Sequence, residues 1–386
     1  MSTRKPVRRK AREVTHLTTV HPPFDVRIFH KECKSIARAG YDVTLIACHD
    51  RDEMREGVRI RALPKAHGRL SRMICGAWAI YREAIRQDAD LYHFHDPELI
   101  PVGLVLRLRG KKVVYDVHED VSADVAVKHY IPQPFRRPAA WLVSLIETAA
   151  AKLFSAVVPA TPWIARRFGF RTDNVVVVSN YPVVDGPQLK TRRPWPQRSA
   201  AVAYVGFLAR DRCISEMVRA MALLPENLRV TLRLAGTFSP EDFQGELARI
   251  NGWDRADCLG TLSPTQVAGL LEDVRAGLLI YRPDPNNVQA APNKLFEYMY
   301  AGIPVIASDF PSFREIIEGV KCGLLVNPLD PQAIARAIEY VFNYPEAAEQ
   351  MGLRGREAVK NRYNWPSQER KLLNLYRKLL DTPCAV

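Results

Sequence analysis

Two patterns of apolar residues alternate along this chain. Short runs that are apolar throughout, rich in Val and Ile, read as strands buried on both faces. Between them lie longer stretches whose apolar residues return every three or four positions, the mark of amphipathic helices. In the first half the strand candidates are 13–20, 41–48, 58–63, 91–96, 112–119 and 156–161. The helix candidates are 26–39, 69–87, 97–109, 134–154 and 163–168; in the second, Ile74, Ala77, Trp78, Tyr81 and Ile85 form the apolar stripe. The pattern restarts near residue 200, with strands at 201–205, 230–238, 276–282, 303–307 and 323–328 and helices between them. Three helices, 331–342, 345–361 and 366–380, close the chain. Strands alternating with helices predict an α/β fold built from two doubly wound parallel sheets. A length of 386 residues is too great for one ordinary core and agrees with two domains.

Residues 281–309, YRPDPNNVQAAPNKLFEYMYAGIPVIASD, read as strand end, polar loop, helix and buried strand. Pro292 and Asn293 signal the helix start, and Gly302 with Pro304 stops it. The helix therefore opens at the C-terminal edge of a parallel sheet, where unpaired N–H groups and the helix dipole favour a phosphate. Lys294 adds a cation there, and Glu297, one turn later, can accept hydrogen bonds from sugar hydroxyls.

Residues 292–309, PNKLFEYMYAGIPVIASD, closely resemble the donor-sugar motif of the retaining glycosyltransferases of family 4, which have the GT-B fold. The resemblance runs from Val14 to about Tyr376. It implies two Rossmann-like domains facing an interdomain cleft, and sugar transfer from a nucleotide diphosphate sugar, UDP- or GDP-linked, to an acceptor hydroxyl in glycan or polysaccharide assembly. The family motif pairs two glutamates eight positions apart. Glu297 matches the second, which binds the ribose, and Gln289 stands where the first lies near the transferred sugar. Asn293, Lys294 and the backbone at Leu295 complete the implied donor site. Gly206-Phe207-Leu208 matches the family's Gly-Arg-Leu, with Arg212 at the lysine position four residues after Leu208. Phe207 removes one cation, and Arg210 stands two residues further along from the Leu, where a guanidinium can grip phosphate. A solvated Arg-Asp-Arg turn is the plain alternative. The loop 258–263 matches the segment that packs on the nucleotide base.

In the first half, the loop His21-Pro-Pro-Phe24-Asp25 holds no Gly-x-Gly, so it is not a dinucleotide fingerprint. The resemblance places it at the acceptor side, with His21, Phe24, Asp25 and Arg27 as candidates; a turn with a helix cap at Asp25 is the competing reading. The strand 91–96 ends in His95-Asp96, and 112–119 ends in His118-Glu119-Asp120. His118 matches the family histidine that reaches the donor sugar near its anomeric carbon. His95 is assigned to the acceptor side or to structure. Neither cluster has metal-ligand spacing such as HExxH, so no metal and no cofactor beyond the donor is expected.

Composition narrows the partners. The net charge is +13, and six basic residues crowd positions 4–12 without apolar periodicity. That arm can lie against an anionic membrane or stay solvated. No aromatic-interleaved basic groove supports nucleic acid. The seven cysteines, at 33, 48, 75, 213, 258, 322 and 384, form no CxxC pair and read as reduced thiols. No apolar run reaches the roughly 18–20 residues that span a bilayer, and no apolar segment follows the basic arm as a secretory signal does. The expected protein is cytoplasmic, soluble or peripheral at the inner membrane face. The expected divisions are a basic arm 1–12, an acceptor-side domain 13–182, a linker 183–199, a nucleotide-sugar domain 200–365, and a helix 366–386 crossing back to the first domain. Two other functions fit the pattern. One is a non-catalytic nucleotide-sugar-binding scaffold, favoured by Phe207 and Gln289. The other is a GT-B epimerase.

Overall fold

A computed structural model describes residues 11–65, 68, 71–118, 121–122, 125, 131–168, 174–184 and 193–381. The basic residues 4–10, Glu119, Asp120, linker residues 185–192 and Cys384 lie outside the described residues. The chain divides into two units, residues 1–180 with 365–386, and residues 181–364. The boundaries thus fall at Asn180 and Asn364.

The first unit holds a seven-stranded sheet in the order β3-β4-β2-β1-β5-β6-β7. Its strands are β1 (Glu13–Leu17), β2 (Asp42–Cys48), β3 (Glu53–Arg55), β4 (Val58–Leu63), β5 (Leu91–Phe94), β6 (Lys112–Val117) and β7 (Ala156–Pro159). All pair in parallel except β3, an antiparallel edge strand that the apolar pattern does not reveal. Helices cover both faces. On one lie a π-helical stretch, Val26–Cys33, and α1 (Lys34–Arg38). On the other lie α2 (Ala77–Gln87), α3 (Ile100–Leu108), α4 (Gln133–Ala151) and α5 (Pro162–Phe168). Two apolar cores result, one on each face of the sheet. The expected single helix over 26–39 is instead π-helical in its first eight residues, with His30 N–H donating five residues back to Asp25 O.

The second unit carries a parallel sheet in the order β12-β10-β8-β13-β14-β15 and a small β9–β11 pair. The strands are β8 (Ala201–Val205), β9 (Leu208–Ala209), β10 (Thr231–Ala235), β11 (Phe238–Ser239), β12 (Ala256–Gly260), β13 (Ala276–Leu279), β14 (Val305–Ser308) and β15 (Gly323–Val326). The helices are α6 (Ile214–Ala222), α7 (Phe243–Leu247), α8 (Pro264–Asp273), α9 (Pro285–Val288), α10 (Asn293–Ala301), α11 (Pro311–Val320), α12 (Pro331–Asn343) and α13 (Pro345–Asn361). α7 is a single five-residue turn of helix, and α9 lies where a polar loop was expected. The final helix, α14 (Trp365–Asp381), belongs to the first unit, where Leu372, Leu375 and Tyr376 enter its core. Part of the expected linker is built into the second core, because Trp195 is buried there.

Candidate functional site

In the second unit the C-terminal ends of β8 and β10 meet at Gly206, whose N–H donates to Ala235 O at 2.8 Å. Gly206 has φ +136°, a conformation that a side chain disfavours, and a Cβ there would lie 2.3 Å from Lys294 Cε. Gly236 approaches as closely from the other side; a Cβ on it would strike Gly206 O. The two loops thus expose backbone where only hydrogen atoms fit. α10 begins beside them, after Pro292, with Gly302 as its left-handed cap. Leu295, Phe296, Tyr298 and Met299 anchor it in the core, which leaves Lys294 and Glu297 on its less buried side. Burial lowers the Lys294 pKa; the nearby Glu297 carboxylate opposes that shift, and the cation of Arg212 adds to it. A partly desolvated lysine near a second cation is poised for an anion.

Arg212 sits in a short 3-10 turn, Arg210–Arg212, after β9. Its guanidinium lies over the Tyr281 ring, 4.3 Å from the centroid, and one nitrogen donates to Asn287 Oδ1 at 3.2 Å. Burial pushes the Tyr281 hydroxyl up to about 12 even though Arg212 opposes the shift, so the phenol stays neutral. Asn287 is itself fixed by Asp284, through its N–H at 2.9 Å and its side-chain amide at 2.7 Å. Sequence reasoning missed Asn287, which only the fold of α9 brings to Arg212. Arg210 does not join this group: it ion-pairs with Glu246 and stacks over Phe243. The structure therefore brings together Gly206, Arg212, Asn293, Lys294, Leu295 and Glu297. The Leu295 side chain is in the core, and its N–H donates to Pro292 O, so it offers no side-chain contact. Gln289 is half-buried just past α9, and Phe207 is 70% exposed.

In the first unit, parallel register builds a buried polar chain. His16 of β1 stands opposite His93 of β5, and Phe94 opposite Tyr115 of β6. Side chains alternate faces with period two, so His93 and His95 share a face with Asp116 and His118. Tyr376 of α14 packs onto that face. Its hydroxyl lies 2.8 Å from His93 Nδ1 and 3.2 Å from His16 Nε2. His16 Nδ1 meets His95 Nε2 at 2.9 Å, and His95 Nδ1 meets Asp116 Oδ2 at 3.0 Å. Burial lowers the pKa of all three histidines, reinforced at His16 and His93 by neighbouring imidazoles, so each is neutral. One tautomer set then satisfies the chain. His95 Nδ1–H donates to Asp116, His16 Nδ1–H to His95, Tyr376 O–H to His16, and His93 Nδ1–H to Tyr376. That assignment leaves His93 Nε2 as a bare acceptor, and this atom has no hydrogen-bond partner among the described residues.

Asp116 is the hub. Arg27 holds it with two bonds, Nε at 3.0 Å and a terminal nitrogen at 2.7 Å, and His118 Nε2 lies 2.7 Å from Oδ2. Burial opposes ionisation of Asp116, but Arg27 and His118 outweigh it and keep its pKa well below the usual range. Glu32, fully buried, takes the opposite course. Burial first and Asp116 second raise its pKa well above normal, against the pull of Arg27. With His118 Nε2–H donating to Asp116, Nδ1 is the acceptor nitrogen of the ring. His118 is partly exposed, with the His21 ring 5.0 Å away. His21 Nε2 in turn lies 3.5 Å from Asp96, whose Oδ2 accepts from the Thr19 N–H at 2.6 Å and so ties the HPPFD loop down.

The other acceptor-side candidates have inward roles. Asp25 caps the π-helical stretch through the N–H groups of Arg27 and Ile28. Phe24 packs edge-on against Phe29 and His49. Arg27 is buried against Asp116 and Val178 O, and His95 lies inside the chain. His16, Glu32, His93 and His95 stand close enough to hold a cation, as do His95, Asp116 and His118. The Arg27 guanidinium already supplies the positive charge between Asp116 and Glu32.

Residues 26–181 match the "Glycosyl transferase 4-like domain" family, and residues 187–358 match "Glycosyl transferases group 1". The chain belongs to family 4 of the glycosyltransferases. It is 23% identical over 374 residues to the glycogen synthase of Mycobacterium tuberculosis, covering 88% of this chain and 87% of that protein. A second match, 23% identical, spans 46% of this chain and 44% of the uncharacterized glycosyltransferase MJ1607 of Methanocaldococcus jannaschii. Among solved structures, sucrose-phosphate synthase from Thermosynechococcus elongatus superposes with a TM-score of 0.75 at 21% identity, covering 96% of this chain and 99% of that one. Anabaena Alr3699/HepE, in complex with UDP and glucose, superposes with a TM-score of 0.71 at 15% identity, covering 95% and 100%. The fold of this glycosyltransferase is GT-B.

Proposed function

We propose that this glycosyltransferase acts with retention of configuration, moving a sugar from a UDP- or GDP-linked donor to an acceptor hydroxyl in glycan or polysaccharide assembly. The observation that carries the reading is Lys294, at the start of α10, against the bare backbone of Gly206, with the Arg212 cation near enough to lower the Lys294 pKa. In this reading the diphosphate lies on Gly206. The bond from the anomeric carbon to the phosphate oxygen breaks while the acceptor oxygen bonds to the same face, and the acceptor proton passes to the departing phosphate. Arg212, Lys294 and the helix start offset the charge that develops on that phosphate. Glu297 takes the ribose hydroxyls, and His118 Nδ1 accepts from a sugar hydroxyl. Gln289 is neutral where a covalent route requires a carboxylate nucleophile, which supports front-face transfer.

A thermal-shift panel of UDP, GDP, ADP and TDP sugars identifies the donor nucleotide, because a ligand of the native state raises Tm. Nucleotide release with candidate acceptors then tests transfer, and the anomeric configuration of the product tests retention. The exposed Phe207, standing where the family carries a cation, supports a second reading as a non-catalytic donor-binding subunit. A donor that binds without acceptor-dependent release separates that reading from the first.

A further inference from the structure

The helical layer α2-α3-α4-α5 covers one face of the first sheet, each helix packed beside the next. Its outer surface is unusual. Of the twenty large apolar side chains exposed among the described residues, twelve lie on these helices, on the turn before α2 or just past a helix end. α4 shows the inversion most clearly. Its inward positions are Glu147, Thr148, Ala150 and Ala151. Its outward positions Trp141, Leu142, Leu145 and Ile146 recur at helical spacing and are 47–67% exposed. Leu108 at the end of α3 is 87% exposed, and Ile74 and Trp78, four residues apart before and within α2, are 69% and 59% exposed. Exposed apolar side chains gathered on one helical layer in this number mark an interaction site.

The charge on the same layer is one-sided. Arg82, Arg86, Arg107, Arg136, Arg137, Arg166 and Arg167 lie on the four helices. Their two acids are neutralised: Glu147 is buried against Arg167, and Glu83 pairs with Arg86. Arg166 lies over the Trp163 ring, 5.9 Å from its centroid. Aromatic and aliphatic anchors set among arginines match an anionic lipid surface, which takes apolar side chains at the acyl boundary and cations at the headgroups. We propose that this layer docks on an anionic membrane, independently of the basic N-terminal arm and of the transfer chemistry. No helix among the described residues is long and apolar enough to cross a bilayer, so this contact is peripheral.

The test is flotation of the full chain with vesicles of phosphatidylcholine alone and of phosphatidylcholine with phosphatidylglycerol. The expected result is binding to the second only. Losing two anchors in Trp141→Ser/Leu145→Ser should weaken it roughly tenfold or more, with circular dichroism and donor-nucleotide affinity unchanged. Should that variant misfold, Arg82→Glu/Arg137→Glu reads out the same surface through its charge. Neutralising the arm, Arg8→Gln/Arg9→Gln/Lys10→Gln, should leave most binding intact. No binding to either vesicle, equal binding to both, or binding lost through the arm and not the helices overturns the proposal. So does a dimer in sedimentation analysis that Trp141→Ser/Leu145→Ser dissociates, which reassigns the face to a second copy of the chain.

Discussion

Replacing Gly206 with alanine puts a methyl group where the Lys294 side chain now lies. The added carbon falls 2.3 Å from Lys294 Cε and 2.6 Å from Nζ. Ordinary contact requires a shift of about 1 Å, and the atom that must yield is the flexible end of a lysine, not backbone. The fold therefore tolerates the change at the cost of backbone strain at φ +136°, about 1–3 kcal/mol. In the proposed binding mode the displaced ammonium no longer meets the diphosphate. A hydrogen bond to a charged group is worth about 1.5–3 kcal/mol, so nucleotide affinity should fall roughly ten- to a hundredfold. Calorimetry with the nucleotide chosen by thermal shift measures this directly. Lys294→Met should lose a similar amount, and Gly206→Ala/Lys294→Met should be little worse than either alone, because both remove one interaction. Unchanged affinity in Gly206→Ala, or fully additive losses in the double variant, would refute the placement of the diphosphate on Gly206.

Three further outcomes follow from the geometry. Arg212→Ala should cut turnover far more than it lowers Tm, and Asn287→Ala, which frees Arg212 to wander, should show a weaker version of the same loss; equal turnover in Arg212→Ala removes it from the site. Arg27→Met leaves the Asp116 carboxylate buried without its cation and should cost about 3–5 kcal/mol by urea unfolding; a loss under about 1 kcal/mol contradicts the buried pair. Stability should also fall with acid. His16, His93 and His95 are neutral in the fold with lowered pKa values, while the unfolded chain takes up their protons below about pH 6.5. Glu32 works in the other direction, since it keeps its proton in the fold above about pH 4.5. Between those limits the unfolded chain holds imidazole protons that the fold excludes, so stability falls as pH falls. Above about pH 6.5 only Glu32 still acts, and stability declines gently as pH rises. A Tm that is flat or rises from pH 7 to 5 contradicts neutral buried imidazoles.

The helix that carries Lys294 and Glu297 was legible in the sequence because its signals are local. Pro292, Asn293 and Gly302 bound one helix, and the apolar run after it fixes the strand, so the place of Lys294 and Glu297 follows from short-range rules. Phe207 and Arg210 show where such rules stop. Sequence spacing puts Arg210 two residues from Arg212, but the 3-10 turn sends the two guanidinium groups apart, one to Glu246 and one to Tyr281. The first unit was less legible. Period two alone shows that His93 and His95, and Asp116 and His118, each share a face. Which strands adjoin is set by crossovers, and Tyr376 arrives from a helix 283 residues beyond His93. The π-helical stretch hid more. Arg27 and Glu32 are five residues apart, which α-helical phasing places about 140° apart and i to i+5 pairing brings onto one side.

That local π geometry is what makes His118 a defined group and not a loose side chain. The sheet buries Asp116 completely, and a lone buried carboxylate would take up a proton. Arg27 prevents this only because the π turns aim its guanidinium at the sheet, where it also meets Glu32 at 3.1 Å. One cation cannot neutralise two buried carboxylates, so the second proton must remain, and it settles on Glu32, whose pKa is raised, rather than on Asp116, whose pKa is lowered. Asp116 stays charged, accepts from His95 and His118 together, and thereby sets the tautomer of each. The consequence reaches the surface as an imidazole of fixed orientation with Nδ1 left to accept. A change at Arg27 or Glu32, neither of which faces a ligand, therefore acts on His118 through the position of one proton.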